Sequence, residues 1–243
     1  MDTASAKEEQ RRQELEKLLR QWSPPEVPVH SIYHRKSFFS FRRDPRYETH
    51  KLKKTVPIRG EYVELHLLDT QAVRHHMIKY EYLHFGLVQV AVKPLTAAGL
   101  DYSVLVCLRD CRCLEFGPSL LAVAQASLRH GPIYFDCYPS YQVTLSDASK
   151  PMTSTLSIKI ESSRNVELNS SDIAVEYRIY YRVCNGAFNG SKKSPSVGET
   201  TFVETNLVGG GGRAVPRTIR WDSFEVPERW TDRTEPINNG DGN

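Results

Sequence analysis

From Ile173 to Val183 apolar and charged positions take turns. Ile173, Val175, Tyr177, Ile179, Tyr181 and Val183 share one parity, and Glu176, Arg178 and Arg182 the other. Side chains alternate across an extended strand, so this stretch is predicted to be a strand with one face in a core and its charges outside. "YQVTLS" and "LSIKIE" follow the same rule, with Leu156, Ile158 and Ile160 on one face of the second. "YLHFGLVQVAVK" changes phase: Leu83, Phe85 and Leu87 alternate, then Val88, Val90 and Val92 do so on the opposite parity. A slip between Gly86 and Val88 predicts a β-bulge. "YSVLVCL" is nearly continuous in apolar residues and fits a strand covered on both faces.

Helical spacing is expected in three places. In residues 5–22, Ser5 and Glu8 form a capping box, and Leu15, Leu18, Leu19 and Trp22 fall on one stripe. That stripe needs cover, from a docking partner or from the chain's own domain. "LLDTQAVRHHMIKY" reads as a short helix with Asp69 or Thr70 as N-cap. "GPSLLAVAQASLRHG" reads as another, started by Pro118 or Ser119 and stopped by Gly131.

These elements predict a mainly β fold, a jelly-roll-like antiparallel β-sandwich over residues 55–185 with two inserted helices. An amphipathic helix (1–23) and a Pro-containing linker with a basic aromatic segment (24–54) precede it. Residues 186–243 are expected to be a flexible tail whose Trp221, Phe224 and Trp230 form a docking motif, although a strand folding back on the domain would also use them.

Charge sharpens this picture more than composition does. The formal net charge is +3, but residues 34–54 alone carry eight Lys/Arg against Asp44 and Glu48. That local +6 leaves about −3 for the remainder. The basic residues Arg35, Lys36, Arg42, Arg43, Arg46, Lys51, Lys53 and Lys54 are interleaved with Phe38, Phe39, Phe41 and Tyr47. Cations that track phosphates beside rings that stack on bases suit a single-stranded nucleic acid, and a strand with a solvated face is the plainer alternative. Arg178 and Arg182 are second candidates for the same role.

Five cysteines at irregular spacing argue against a secreted disulfide framework and for a reducing compartment. The charged start fits no signal peptide, and no apolar run reaches the ~18 residues of a membrane span, so any membrane contact is expected to be peripheral.

Enzymatic signatures are missing. No Gly-x-Ser-x-Gly elbow or phosphate-cradling Gly-x-x-x-x-Gly-Lys-Ser/Thr occurs, and "GGGGR" has no predicted strand before it. Cys107, Cys111 and Cys113 lack knuckle spacing, and His75 and His76 point to different helix faces. Nothing in the spacing gathers Asp69, Asp110, Asp136 and Asp147. The expectation is therefore no enzyme, no metal and no cofactor.

"LVCLRDCR" ends an apolar strand on Arg109 and Asp110. A carboxylate there can accept backbone N–H bonds or bridge an arginine, which would fix the turn and organise the fold. Several segments together resemble the thirty-kilodalton superfamily of plant viral movement proteins. "EYLHFGLVQVAVKPLTAAGLD" resembles its first core strands and "VCLRDCR" its signature strand ending in Leu-x-Asp with a basic residue following. "GPIYFDCYPSYQVTLSDA" resembles its paired strands and "IAVEYRIYYRVCN" its last one, the wording being nearest to pararetrovirus members. On this resemblance Leu108, Asp110 and Arg112 are the signature positions. It implies a jelly-roll-like domain that carries a viral genome or virion through plasmodesmata, at the cell periphery and in the cytoplasm of the host. Family members bind single-stranded RNA or DNA without sequence preference, self-associate, in some lineages into tubules, and meet capsid protein or host plasmodesmal factors. A glycine often placed before the last strand is replaced here by Asn169, Ser170 and Ser171. A capsid-type shell protein is the alternative, since jelly rolls with basic arms also line viral shells.

Overall fold

The structure is a computed structural model of the chain. It describes residues 2–33, 47–68, 73–113, 115–145, 156–162, 172–186, 199–208, 211–220 and 227–231.

Two sheets face each other. In the first, β1 (Tyr47–Pro57), β9 (Ile173–Cys184), β3 (Tyr82–Pro94) and β6 (Ile133–Cys137) are neighbours in that order, and β7 (Tyr141–Thr144) also pairs with β3. The second has the order β11 (Gly211–Arg220), β10 (Glu199–Val208), β5 (Leu120–Ser127), β4 (Ser103–Asp110), β8 (Leu156–Ser162) and β2 (Tyr62–His66). Among the described residues all pairings are antiparallel except β5 with β10, which gives the jelly-roll-like sandwich a parallel seam. The core lies between the sheets, where Val104, Val106 and Leu108 of β4 and Val175, Tyr177 and Ile179 of β9 belong to one buried cluster. The six inward residues read from the alternation of β9 are all in this core.

The phase change in β3 is a bulge. Its pairing with β9 shifts between Phe85 and Leu87, which returns Val88, Val90 and Val92 to the core and turns Leu87 outward.

Other expectations are corrected. Residues 120–127 form strand β5, flanked by a short helix α3 (Phe116–Ser119) and a 3₁₀ turn (Leu128–His130). Small residues decide the matter: Ala122 and Ala124 face the core while Leu120 and Val123 are buried on the opposite side, so the segment is covered on both faces. Such a strand shows no alternation, and its alanines imitate a helix. Gly131 is still a stop, at φ 103°, after the 3₁₀ turn. Of the expected helix over 67–80, residues 73–74 are helical and a 3₁₀ turn (His76–Ile78) follows, while residues 69–72, with Asp69 and Thr70, lie outside the described residues.

The N-terminal helix α1 spans Asp2–Gln21, so Ser5 lies within it and not at its cap. The core begins at Tyr47, eight positions before the expected boundary at 55. Beyond residue 186 the chain contributes the β10–β11 hairpin and a short helix α4 (Glu228–Thr231), where a flexible tail was expected.

Candidate functional site

Asp110 closes the inward row Val104, Val106, Leu108 of β4 and is 7% exposed. Its Oδ1 accepts from the Arg112 backbone N–H (3.1 Å) and Nε (2.8 Å), and its Oδ2 accepts from Nη2 (2.5 Å). The N–H bond is an Asx-type closure of the turn, and the two-pronged guanidinium contact is the stronger, charge-assisted kind. These bonds hold the Arg112 guanidinium above its ordinary pKa. The same guanidinium lies 4.0 Å from the Tyr141 ring centre, tying the end of β4 to β7 in the other sheet. Burial, then the Asp110 charge, pushes the Tyr141 hydroxyl well up. Arg109 takes no part: its Nε donates to Ser119 Oγ (2.8 Å) and its guanidinium covers Phe116 at 4.5 Å. Of the two arginines beside the carboxylate, it is Arg112 that makes the knot.

The outer face of the first sheet holds a second polar assembly. By strand parity it carries Lys51 and Lys53 of β1, Lys93 of β3, and Arg178 and Arg182 of β9, against Glu176 and Asp136. An outward face was expected to be solvated. Instead Glu176 is 1% and Arg178 3% exposed, because residues 20–33 cross the sheet as a strap. Arg178 and Arg182 do face outward, as the alternation indicated, but they are not solvated: the chain's own N-terminal segment covers them.

The strap is held through its backbone. Lys93 Nζ donates to the carbonyls of Arg20 (2.9 Å) and Trp22 (2.7 Å), and Arg178 Nη1 to those of Pro24 (2.7 Å) and Pro25 (3.3 Å). Gln89 Nε2 donates to Pro25 O at 3.1 Å. Ser23 Oγ donates to both Glu176 oxygens (2.7 and 2.8 Å) and accepts from Lys53. Burial alone would raise the Glu176 carboxyl, but the hydrogen bonds from Ser23 and Lys53 and the charges of Lys53 and Lys93 outweigh it and hold it low. Lys51 pairs with Glu26, whose carboxyl it also holds low.

At its far end the strap finishes in helix α2 (Val29–Ile32) and Tyr33, which fills the bulge of β3. The Tyr33 hydroxyl donates to His84 O (3.2 Å) and approaches Tyr180 O (3.4 Å). A Cβ at position 86 would collide with the Tyr33 hydroxyl and with Ile32 Cγ2, so a larger residue there requires the strap to shift. Arg182 sits between the rings of Tyr33 and Tyr47, at 4.1 and 4.2 Å. Burial, then Arg182, lowers His84 to about 4. The sequence hinted at this assembly by setting Glu176 and Arg178 two residues apart in an apolar strand. The roles of Ser23, Tyr33, Gln89 and Lys93 were not read from it.

The other proposed residues fall in different places. Arg35, Lys36, Phe38, Phe41, Arg42, Arg43 and Arg46 lie outside the described residues. Lys51 and Lys53 share the outer parity of β1, and Lys54 takes the inner one. The C-terminal part of α1 docks: Glu16 Oε1 accepts from the Ala97 N–H (3.3 Å), Leu19 is buried and Arg20 Nε donates to Leu95 O (3.2 Å), and just past the helix Trp22 meets Tyr134. Leu15 and Leu18 stay exposed, at 38% and 66%. Trp221 and Phe224 lie outside the described residues, whereas Trp230 is not an exposed docking residue. It is buried on the outer face of the second sheet with Cys107, Leu120 and Val123, and its carbonyl accepts from buried Lys159 at 3.4 Å. Burial pushes the Cys107 thiol up to about 12.

A third cluster joins the sheet to the 73–80 segment. The rings of His75 and His76 are 3.6 Å apart, those of His76 and His50 4.4 Å, and His76 Nε2 lies 3.1 Å from the Tyr181 hydroxyl. Burial, then His50 and His75, lowers His76 to about 4. Among the described residues no group of three or more His, Cys, Asp or Glu side chains is placed to hold a metal ion. No described helix is long and apolar enough to cross a membrane.

Residues 46–196, the stretch from β1 through β9, match the viral movement protein family. The chain is 24% identical over 181 residues to the genome polyprotein of Petunia vein clearing virus, covering 73% of this chain and 8% of that one. It is 28% identical over 128 residues to the movement protein of Soybean chlorotic mottle virus, covering 53% of this chain and 42% of that one. It spans less than half the length of these relatives. Among solved structures, that of Desmodium yellow mottle tymovirus is similar at a TM-score of 0.39 and 10% identity, covering 70% of this chain and 100% of that one. The chain belongs to the viral movement protein family and is related to its pararetrovirus members.

Proposed function

We propose that the chain carries viral nucleic acid or virions between plant cells through plasmodesmata. It does so by binding single-stranded RNA or DNA without sequence preference and by self-association, with no bond made or broken. The observation that carries this reading is the family match over β1 to β9, a stretch that takes in the Asp110 knot and the cationic sheet. Binding draws on counterion release by the basic stretch before and within β1. Leu15 and Leu18 offer capsid protein or a host plasmodesmal factor an apolar contact, with any membrane met from its surface.

A fluorescent fusion expressed in leaf epidermis tests the proposal. Punctate signal in walls between neighbouring cells is the expected result, and diffuse cytosolic signal would overturn it. Negative-stain images separate transport from the shell alternative: tubules or beaded filaments fit the former, closed particles the latter.

A further inference from the structure

Residues 20–33 offer the sheet a line of oxygens. Four successive contacts use the carbonyls of Arg20, Trp22, Pro24 and Pro25, and a fifth the Glu26 carboxylate. Proline has no N–H, so Pro24 and Pro25 present acceptors only. The sheet's side is the reverse: Lys51, Lys53, Lys93 and Arg178 donate, held on three adjacent strands. Contacts of this kind read a chain's charge and not its sequence. The fit is also incomplete, since Arg178 Nε and Tyr180 Oη are buried with no hydrogen-bond partner among the described residues. Two donors on the sheet's side thus have room for a further acceptor.

We propose that the outer face of the β1–β9–β3–β6 sheet is a latent binding site for single-stranded nucleic acid, closed here by residues 20–33 of the same chain. This rests on the nucleic-acid reading above and adds where the strand lies and what gates it. With the strap in place the cations donate to its carbonyls and pair with Glu176 and Glu26. With the strap gone they face solvent beside the rings of Tyr47 and Tyr180, a phosphate-tracking row next to stacking surfaces. Tyr33 is the latch, because, with Ile32 beside it, it fills the space at Gly86.

Gly86→Ala expels Tyr33 without removing any cation. Release is read as faster chymotryptic cleavage after Trp22 and Tyr33, and binding as the anisotropy of a labelled oligothymidylate of about 16 nucleotides. The expected result is roughly tenfold tighter binding at ~0.1 M salt, with a salt dependence steeper by two to three phosphates. A synthetic peptide of residues 20–33 added in trans reverses the gain, and Arg178→Gln in the Gly86→Ala chain abolishes it. If Gly86→Ala leaves cleavage unchanged, Tyr33→Ala combined with Ser23→Asp, which sets a charge against Glu176, repeats the test. A strap that resists both is a fixed part of the fold, and the proposal fails. Faster cleavage with unchanged affinity also overturns it, while native-level binding leaves the transport reading standing. No binding by either chain overturns both.

Discussion

Asp110 settles why an apolar strand ends on paired charges: the carboxylate closes its own turn and clamps Arg112 onto Tyr141 across the sandwich. Asp110→Ala is expected to lower stability by about 2 kcal/mol, because it leaves an arginine and a backbone N–H unmet. Urea unfolding checks this, and loss of transport by a variant of native stability would count against a purely organising role. Two histidines set the pH response. His76 and His84 both fall from 6.5 to about 4 in the folded chain, so unfolding takes up protons between those values. Their contribution to stability is therefore full above pH 6.5 and declines as pH falls toward 4. Glu48, His50, His75 and Tyr181 surround the first ring and Arg182 and Tyr33 the second, and the net sign follows the lowered values. A thermal midpoint that stays level from pH 6.5 to 4.5 would contradict it, and the double variant His76→Gln/His84→Gln should flatten the decline.

Legibility in the sequence followed how each element is covered. β9 and β3, with one face against the core, show alternation, and the bulge at Gly86 registers as a slip in phase. β5, covered on both faces by small residues, shows none and resembles a helix. The Asp110 turn was readable because its partners are two residues away. The strap was not, because Ser23 meets Glu176 across 153 positions and no local pattern reports that. Trp230 belongs to the same class. In a polar stretch it reads as exposed, yet it is one of the largest fully buried side chains. Trp230→Ala should cost about 3 kcal/mol through the cavity it leaves. It should also make Cys107 reactive toward a thiol reagent, and a thiol as protected as in the native chain would show that α4 is not what covers it.

At the scale of the whole molecule the two sheets are covered from outside by opposite parts of the chain, the strap on one and α4 on the other. In the closed form, salt-sensitive binding is assigned to the basic stretch. Neutralising Arg35, Lys36, Arg42, Arg43 and Lys54 together should flatten the salt dependence, and an unchanged slope would move the surface elsewhere. The parallel seam has a consequence for biosynthesis. Ala122 of β5 is joined to Thr201 of β10, 79 positions later, so a growing chain holds β5 as a bare, apolar edge until β10 emerges. Unpaired edges recruit other chains. Products stopped just short of Glu199 should therefore clump during expression, whereas those ending after Arg220 stay dispersed.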